Sequence, residues 1–402
     1  MPFLRLALLS TLVAAALPAP AQAAPLYVAL GDSYTAGPLI LNQVGTPIDC
    51  ARSDNNYPSL TARSLGLTLR DVSCSSATTE HMENPQGPLP LGGTNPPQFN
   101  GVSADADIVT VGIGGNDAGL VGVAIKCIQL GTTAPTGTAC RDFYNAGGVD
   151  RVAAKIEEAR PKIAAVLQGV HARAPKARVA LVGYPAAAPI DGRGCYPVVP
   201  ASPDDLAYLN ELLIRINAMM AEVAGVNDAE FVDIYTSSQG HDVCQLPPTR
   251  WYEGLVPTEP AFPVHPNVRG EADAAKNVIA VLSRPRPVVA APVAGALRQR
   301  RVARRVGPPP RFSFTLDRAA TVRLTLNRRV ADKRYGAAKS ITERTLAAGR
   351  HIVSIPRKVL GRRVGAYKIT VTPTAGGASG RPAALRFRIA KPKAKATTRA
   401  RR

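Results

Sequence analysis

Over the first 283 residues, short apolar runs ending in polar, glycine-rich turns alternate with stretches of helical periodicity. Leu26–Leu30 runs into Gly31-Asp32-Ser33, Ala106–Ile113 into Gly114-Gly115-Asn116-Asp117, and Ala177–Val182 into Gly183-Tyr184-Pro185. Phe231–Tyr235 is a fourth run and Leu67–Val72 a weaker fifth. Between them, Val149–Ala172 carries Val152, Ile156, Ile163, Val166, Leu167 and Val170 at three- and four-residue spacing, which predicts an amphipathic helix. Ser202-Pro203 opens a second helix, with serine as N-cap and proline in the first turn, and Asn267–Leu282 reads as a third. Continuous apolar strands alternating with helices predict a parallel sheet covered on both faces. Ligands of such sheets bind beyond the carboxyl ends of the strands, where the glycine-rich turns fall.

From Arg311 the pattern changes. Arg311–Leu316, Thr321–Leu326, His351–Ile355, Ala366–Thr372 and Ala384–Ile389 alternate apolar and polar residues, predicting a small antiparallel, sandwich-like β module over residues 311–390. Residues 284–310, rich in Pro, Ala and Arg, read as a semi-stiff linker, and 391–402 as a disordered basic tail. The N-terminus has a short basic region, an apolar run from Leu6 to Leu17 and an A-x-A signal ending at Ala23, so residues 1–23 are expected to be a signal peptide rather than a retained anchor. Export is the expected fate, with association to the cell envelope as an extension of it.

Charge sharpens this division. The net formal charge of +20 conceals 31 Lys and Arg against 3 Asp and Glu in residues 284–402, leaving the first 283 residues with 18 basic and 26 acidic side chains. A mildly acidic body carrying a strongly basic end is not a uniformly basic nucleic-acid binder. The +28 segment is expected to dock on an acidic surface, whether an anionic envelope polymer, an anionic lipid or a polyanionic matrix, and no specific nucleic-acid partner is expected. The chain itself is expected to be a monomer. All six cysteines lie in the body. Six cysteines allow 15 connectivities. Neighbour pairing, Cys50–Cys74, Cys127–Cys140 and Cys195–Cys244, is the expectation, and each bridge would contribute ~3 kcal/mol through the chain entropy of the loop it closes.

Candidate chemistry starts at Ser33, which follows a strand but does not sit in a G-x-S-x-G elbow. A serine nucleophile needs a base. Of five histidines, His351 lies in the β module, His171 at a helix end, and His81 and His241 in polar loops. His265 stands in Phe262-Pro-Val-His-Pro266, where flanking prolines fix the backbone just before the last helix of the body. Asn116 can present an amide over the same sheet edge as Ser33, as a donor to the oxyanion of acyl transfer. No H-E-x-x-H, P-loop or dinucleotide fingerprint occurs, so neither metal nor cofactor is expected. Asp32 and Asp117 read as loop-bracing carboxylates rather than a glycosidase pair.

Gly31-Asp-Ser-Tyr34, Cys74-Ser-Ser-Ala-Thr78, Gly114-Gly-Asn-Asp117 and His265-Pro-Asn267, in this order, resemble the four blocks of the GDSL-type, or SGNH, hydrolases over residues 25–283. The cysteines and Trp251-Tyr-Glu-Gly254 resemble the secreted actinobacterial esterase and lipase branch, which suggests the same neighbour pairing. The resemblance implies a three-layer α/β/α, flavodoxin-like body. It makes Ser33 the nucleophile and His265 the general base, with an oxyanion hole of the Ser33 amide, a block-two amide and Asn116. It implies a secreted esterase or lipase acting on acyl esters through an acyl-enzyme. Alternatives are an acetylesterase or phospholipase acting on polysaccharide or phospholipid, and a non-catalytic envelope-binding protein. Two positions depart from the family pattern. Ser75-Ser76 replaces the usual block-two glycine, with Ser76 the expected donor and Ser75 the alternative. Phe262 stands where the family usually has the aspartate that orients the histidine, so its main-chain carbonyl is expected to take that role, with Asp273 as the competing orienter.

Overall fold

The structure, a computed structural model, describes residues 23–285, 293–295, 297–300, 310–316, 320–331, 334–346, 349–360, 365–375 and 378–389. The expected signal peptide, most of the linker and the basic tail lie outside the described residues. The body is built on five parallel strands, β1 (Leu26–Gly31), β2 (Thr68–Asp71), β3 (Ile108–Gly112), β4 (Arg178–Val182) and β5 (Glu230–Val232), in the order 2-1-3-4-5. This is the flavodoxin-like order, whose switch point lies between β1 and β3. Helices α1 (Tyr57–Leu65), α2 (Leu120–Gly131), α3 (Arg151–Arg173), α4 (Pro203–Val226) and α5 (Val268–Leu282) complete the frame.

Alternate residues of each strand face opposite layers. Val28, Leu30, Val109, Val111, Val179 and Leu181 pack with Ile156, Ile163 and Leu167 of α3 and Leu212 and Ile216 of α4. On the other face Ala180, Val182 and Val232 meet Ala274, Ala275 and Val278 of α5. The caps follow the sequence. Ser202 accepts from the Asp205 N–H at the start of α4, Asp150 caps α3, and Asn267 caps α5 through Arg269 and Gly270. Strand β5 is shorter than the expected Phe231–Tyr235 run. Asp233 Oδ1 accepts from the Tyr235 and Thr236 amides, which turns the chain and ends the strand at Val232.

Three bridges join Cys50–Cys74, Cys127–Cys140 and Cys195–Cys244. The C-terminal region is antiparallel throughout. One sheet runs β9 (Lys339–Leu346), β8 (Ala320–Ala331), β11 (Gly365–Ala375), β12 (Ala383–Ile389). The other runs β10 (Gly349–Ser354), β7 (Arg311–Leu316), β6 (Arg298–Arg300). Phe312, Phe314 and Val353 from one sheet share a core with Val322, Ile369 and Phe387 from the other. β6 falls inside the residues read as linker, and β9 had no alternating apolar signal to announce it. β6 is held by backbone pairing to β7, and β9 by pairing to β8 together with Ile341 and Leu346, which pack on the module's core.

Candidate active site

The register brings the first and third motif blocks together. β1 pairs with β3 so that Gly31 lies opposite Gly112, and the Asp32 N–H donates to the Gly112 carbonyl at 2.9 Å. A Cβ on Gly31 would fall 2.7 Å from that carbonyl and closer still to Thr35, so the strand exit requires glycine. Asp32 caps the single turn Ser33–Ala36 by accepting from the Tyr34 N–H at 2.9 Å. The serine thereby stands at the carboxyl edge of the sheet, 7% exposed.

His265 reaches it from the far end of the body. Its Nε2 lies 2.7 Å from Ser33 Oγ, and its Nδ1 lies 2.8 Å from the Pro263 carbonyl oxygen. A carbonyl can only accept, so Nδ1 carries the proton and the Nε2 lone pair faces the serine hydroxyl. Burial disfavours the imidazolium and lowers the His265 pKa to about 4, partly opposed by the Pro263 carbonyl. The ring stands between Tyr34, whose centroid is 4.8 Å away, and Phe262, edge-on at 5.2 Å. Tyr34 also donates its hydroxyl to the Val264 carbonyl at 2.8 Å, clamping the loop. Val264 has φ +59°, a left-handed conformation costly for a β-branched residue and maintained by these surrounding contacts.

The expected orienter is therefore corrected. The Phe262 carbonyl accepts from the His265 main-chain N–H at 3.2 Å, and the left-handed turn at Val264 presents the Pro263 carbonyl to the ring instead. Asp273 is not the alternative, since its carboxylate accepts from Ser237 Oγ at 2.6 Å. Neither side chain bonds the imidazole. Phe262→Ala and Asp273→Asn should each keep kcat/KM for a soluble ester within about tenfold of wild type, the scale of one lost aromatic contact. Parallel assays with circular dichroism to monitor folding check this, and a loss of several decades in a folded variant would overturn the carbonyl assignment.

The second and third blocks lie beside the serine. The Cys74 N–H donates to the Gly31 carbonyl at 3.0 Å, which ties the second block to the end of β1. The Ser75 N–H is engaged by the Cys50 carbonyl at 3.0 Å, whereas the Ser76 N–H has no acceptor among the described residues. Ser76 has φ +63°, a conformation glycine adopts without strain, which accounts for serine being the departure at this place. Asn116 donates from Nδ2 to the Ala77 carbonyl at 2.9 Å and lines the same cleft as Ser33. Asp117 accepts from the Thr79 N–H and hydroxyl, so it braces the two loops as expected.

Sequence reasoning missed Tyr184. Its hydroxyl donates to Asp32 Oδ2 at 2.6 Å and accepts from the Gly115 N–H at 2.7 Å, coupling the serine turn to the asparagine turn. Burial raises the Asp32 pKa to about 7 even though the Tyr184 hydroxyl favours the carboxylate. Tyr184 follows β4 in a glycine-bearing turn, the same signal that nominated Ser33 and Asn116. The other histidines have local roles. His81 completes a capping box with Thr78, His171 contacts the Asn227 carbonyl, and His241 stacks on Trp251 at 3.4 Å.

From Ser33 an apolar cleft runs between α2 and α4. Leu120, Ala124 and Ile128 form one wall and Leu206, Leu209 and Leu213 the other. Such a cavity accepts an apolar chain and offers it few polar partners.

Known proteins are similar to this chain in sequence and fold. The model of the GDSL-like lipase/acylhydrolase family matches residues 29–272. Lipase 2 of Streptomyces coelicolor is 36% identical over 269 residues, 66% of this chain and 88% of that one. An esterase of Streptomyces scabiei is 29% identical over 65% of this chain and 86% of its own. The crystal structure of phospholipase A1 from Streptomyces albidoflavus NA297 is similar with a TM-score of 0.52 and 26% identity, over 65% of this chain and 98% of that chain. The match takes in the sheet, the serine turn, both loops beside it and the histidine, and the chain accordingly belongs to the GDSL-like lipase/acylhydrolase family.

Proposed function

We propose that the chain is an exported esterase or lipase that hydrolyses carboxylic esters through Ser33 and His265. The observation that carries this reading is the 2.7 Å contact between Ser33 Oγ and His265 Nε2 at the mouth of the apolar cleft. Ser33 Oγ attacks the ester carbonyl while His265 Nε2 takes the hydroxyl proton. The oxyanion receives hydrogen bonds from the Ser33 and Ser76 amides and from Asn116 Nδ2. Collapse of the tetrahedral adduct breaks the bond to the alkoxy oxygen, which leaves with the proton from His265, and the acyl group remains on Ser33. Water, deprotonated by His265, then attacks the acyl-enzyme and frees the acid. The Pro263 carbonyl holds the imidazole tautomer throughout, as a neutral partner in place of a carboxylate.

The cleft supports acyl chains longer than acetyl, since each buried methylene adds ~0.8 kcal/mol. The likeness to a phospholipase A1 supports lipid esters among the substrates. Export is supported by the pattern of residues 1–23 and by the three bridges, which persist in oxidising compartments. Hydrolysis of p-nitrophenyl acetate, butyrate and decanoate tests the reading. Turnover of all three is expected, with kcat/KM higher for butyrate and decanoate than for acetate, and absence of turnover on every one would defeat it.

The pH profile follows from burial. Only neutral His265 can accept the serine proton, and its pKa is lowered from 6.5 to about 4. The acid limb of kcat/KM should therefore fall near pH 4 and leave activity almost undiminished at pH 6. A limb at pH 6.5 would contradict the desolvated base. The same shift acts on stability. The unfolded chain binds the His265 proton below pH 6.5 and the folded chain only below about 4, so this residue's contribution is complete above pH 6.5 and is lost as the pH falls towards 4.

A further inference from the structure

The larger sheet of the C-terminal region has one face in the core and one outside. Val322, Leu324, Ile369 and Phe387 point inward, and strand alternation sends Thr325, Asn327, Lys368, Thr370, Arg386 and Arg388 to the other side. The register sets Asn327 opposite Lys368 and Lys368 opposite Arg386, with Arg388 two residues further along the same face. Lys368 Nζ lies 5.7 Å from the centre of the Tyr335 ring and the Arg386 guanidinium 6.0 Å from it. Like charges directly opposite each other destabilise a sheet. Elsewhere on this sheet the fold avoids that cost, because Arg323 has Glu343 opposite it and bonds it at 3.0 Å. Glu343 is the one acidic residue among the described residues of the module. Lys368, Arg386 and Arg388 have no carboxylate partner among the described residues.

We infer that this outward face, centred on Lys368, Arg386, Arg388 and Tyr335, docks the protein on a layer of anionic phospholipid headgroups. A sheet face has the flatness of such a layer, and guanidinium and ammonium groups match its phosphates. The body, with 17 basic against 26 acidic side chains over residues 24–283, would be repelled by an anionic layer, so the module supplies the attraction that the body lacks. The choice of a lipid layer over another polyanion rests on the acyl-ester reading above, because esters that fit an apolar cleft gather in such layers. Tethering raises the concentration of the body beside them.

The full chain, mixed with vesicles of phosphatidylcholine alone or of phosphatidylcholine and phosphatidylglycerol in equal parts, provides the test. Binding to the mixed vesicles that weakens with added salt is expected, with little binding to the neutral ones. Each lost cation should lower the affinity about fivefold, and the Lys368→Ala/Arg386→Ala/Arg388→Ala variant about a hundredfold. The control Lys391→Ala/Lys393→Ala/Lys395→Ala, with the same change in charge, should lose far less. Lys368→Arg should bind as the wild type does. All variants should turn over p-nitrophenyl butyrate alike, which separates this inference from the ester-hydrolase reading. The inference is overturned if the triple variant binds as the wild type does, if the control loses as much, or if neutral and mixed vesicles bind equally. Retention on polyglycerol phosphate or on nucleic acid in preference to the vesicles would overturn it too.

Discussion

Ser33→Ala is expected to lower kcat for p-nitrophenyl butyrate by about 10⁵- to 10⁶-fold, the scale seen when the nucleophile of a serine hydrolase is removed. The side chain is small and 7% exposed, and its hydroxyl contact is to His265. Alanine fits the same turn, whose cap is Asp32 and not the serine. The melting temperature should therefore stay within a few degrees of wild type while turnover vanishes. The residual rate should not recover with pH, since no group is left for His265 to activate. A variant retaining a tenth of the activity would place the nucleophile elsewhere and remove the basis of the proposed mechanism.

The second large effect is expected at Asn116. One N–H of its amide is engaged with the Ala77 carbonyl, and the other remains to meet an oxygen developing charge beside Ser33. Losing one such donor costs about 10²- to 10³-fold in kcat. Asn116→Ala should show that fall with KM little changed, because the bond forms fully only in the transition state. Asn116→Asp keeps the shape and loses the donors, so it should be no better. Steady-state kinetics on both variants decide the matter, and a raised KM with unchanged kcat would make Asn116 a substrate-binding residue instead.

Much of this site is legible in the sequence because its parts sit where the chain must break its pattern. An apolar strand ending in Gly31-Asp-Ser or Gly114-Gly-Asn announces both a sheet edge and a polar group on it. His265 stands out through the prolines around it and its position just before a capped helix. The identity of the carbonyl facing the ring was not legible. Spacing nominates Phe262, but a left-handed valine moves the contact by one residue, and no propensity predicts that conformation for a β-branched side chain. The cleft was hidden for a different reason. Helix α2, LVGVAIKCIQLG, is apolar both on the face it buries and on the face it turns to the cleft, so its pairing with α4 across the site depends on tertiary packing. Strand β6, three residues long in an arginine- and proline-rich stretch, is defined by its partner alone.

The groups assigned to the reaction come from turns at the sheet edge and from the loop before α5, whereas the walls of the cleft come from α2 and α4. Volume-conserving exchanges in those walls, leucine for isoleucine or methionine, come at modest cost to the core. Under the proposed mechanism, acyl-chain preference could therefore be retuned one wall position at a time while the Ser33–His265 contact is inherited intact.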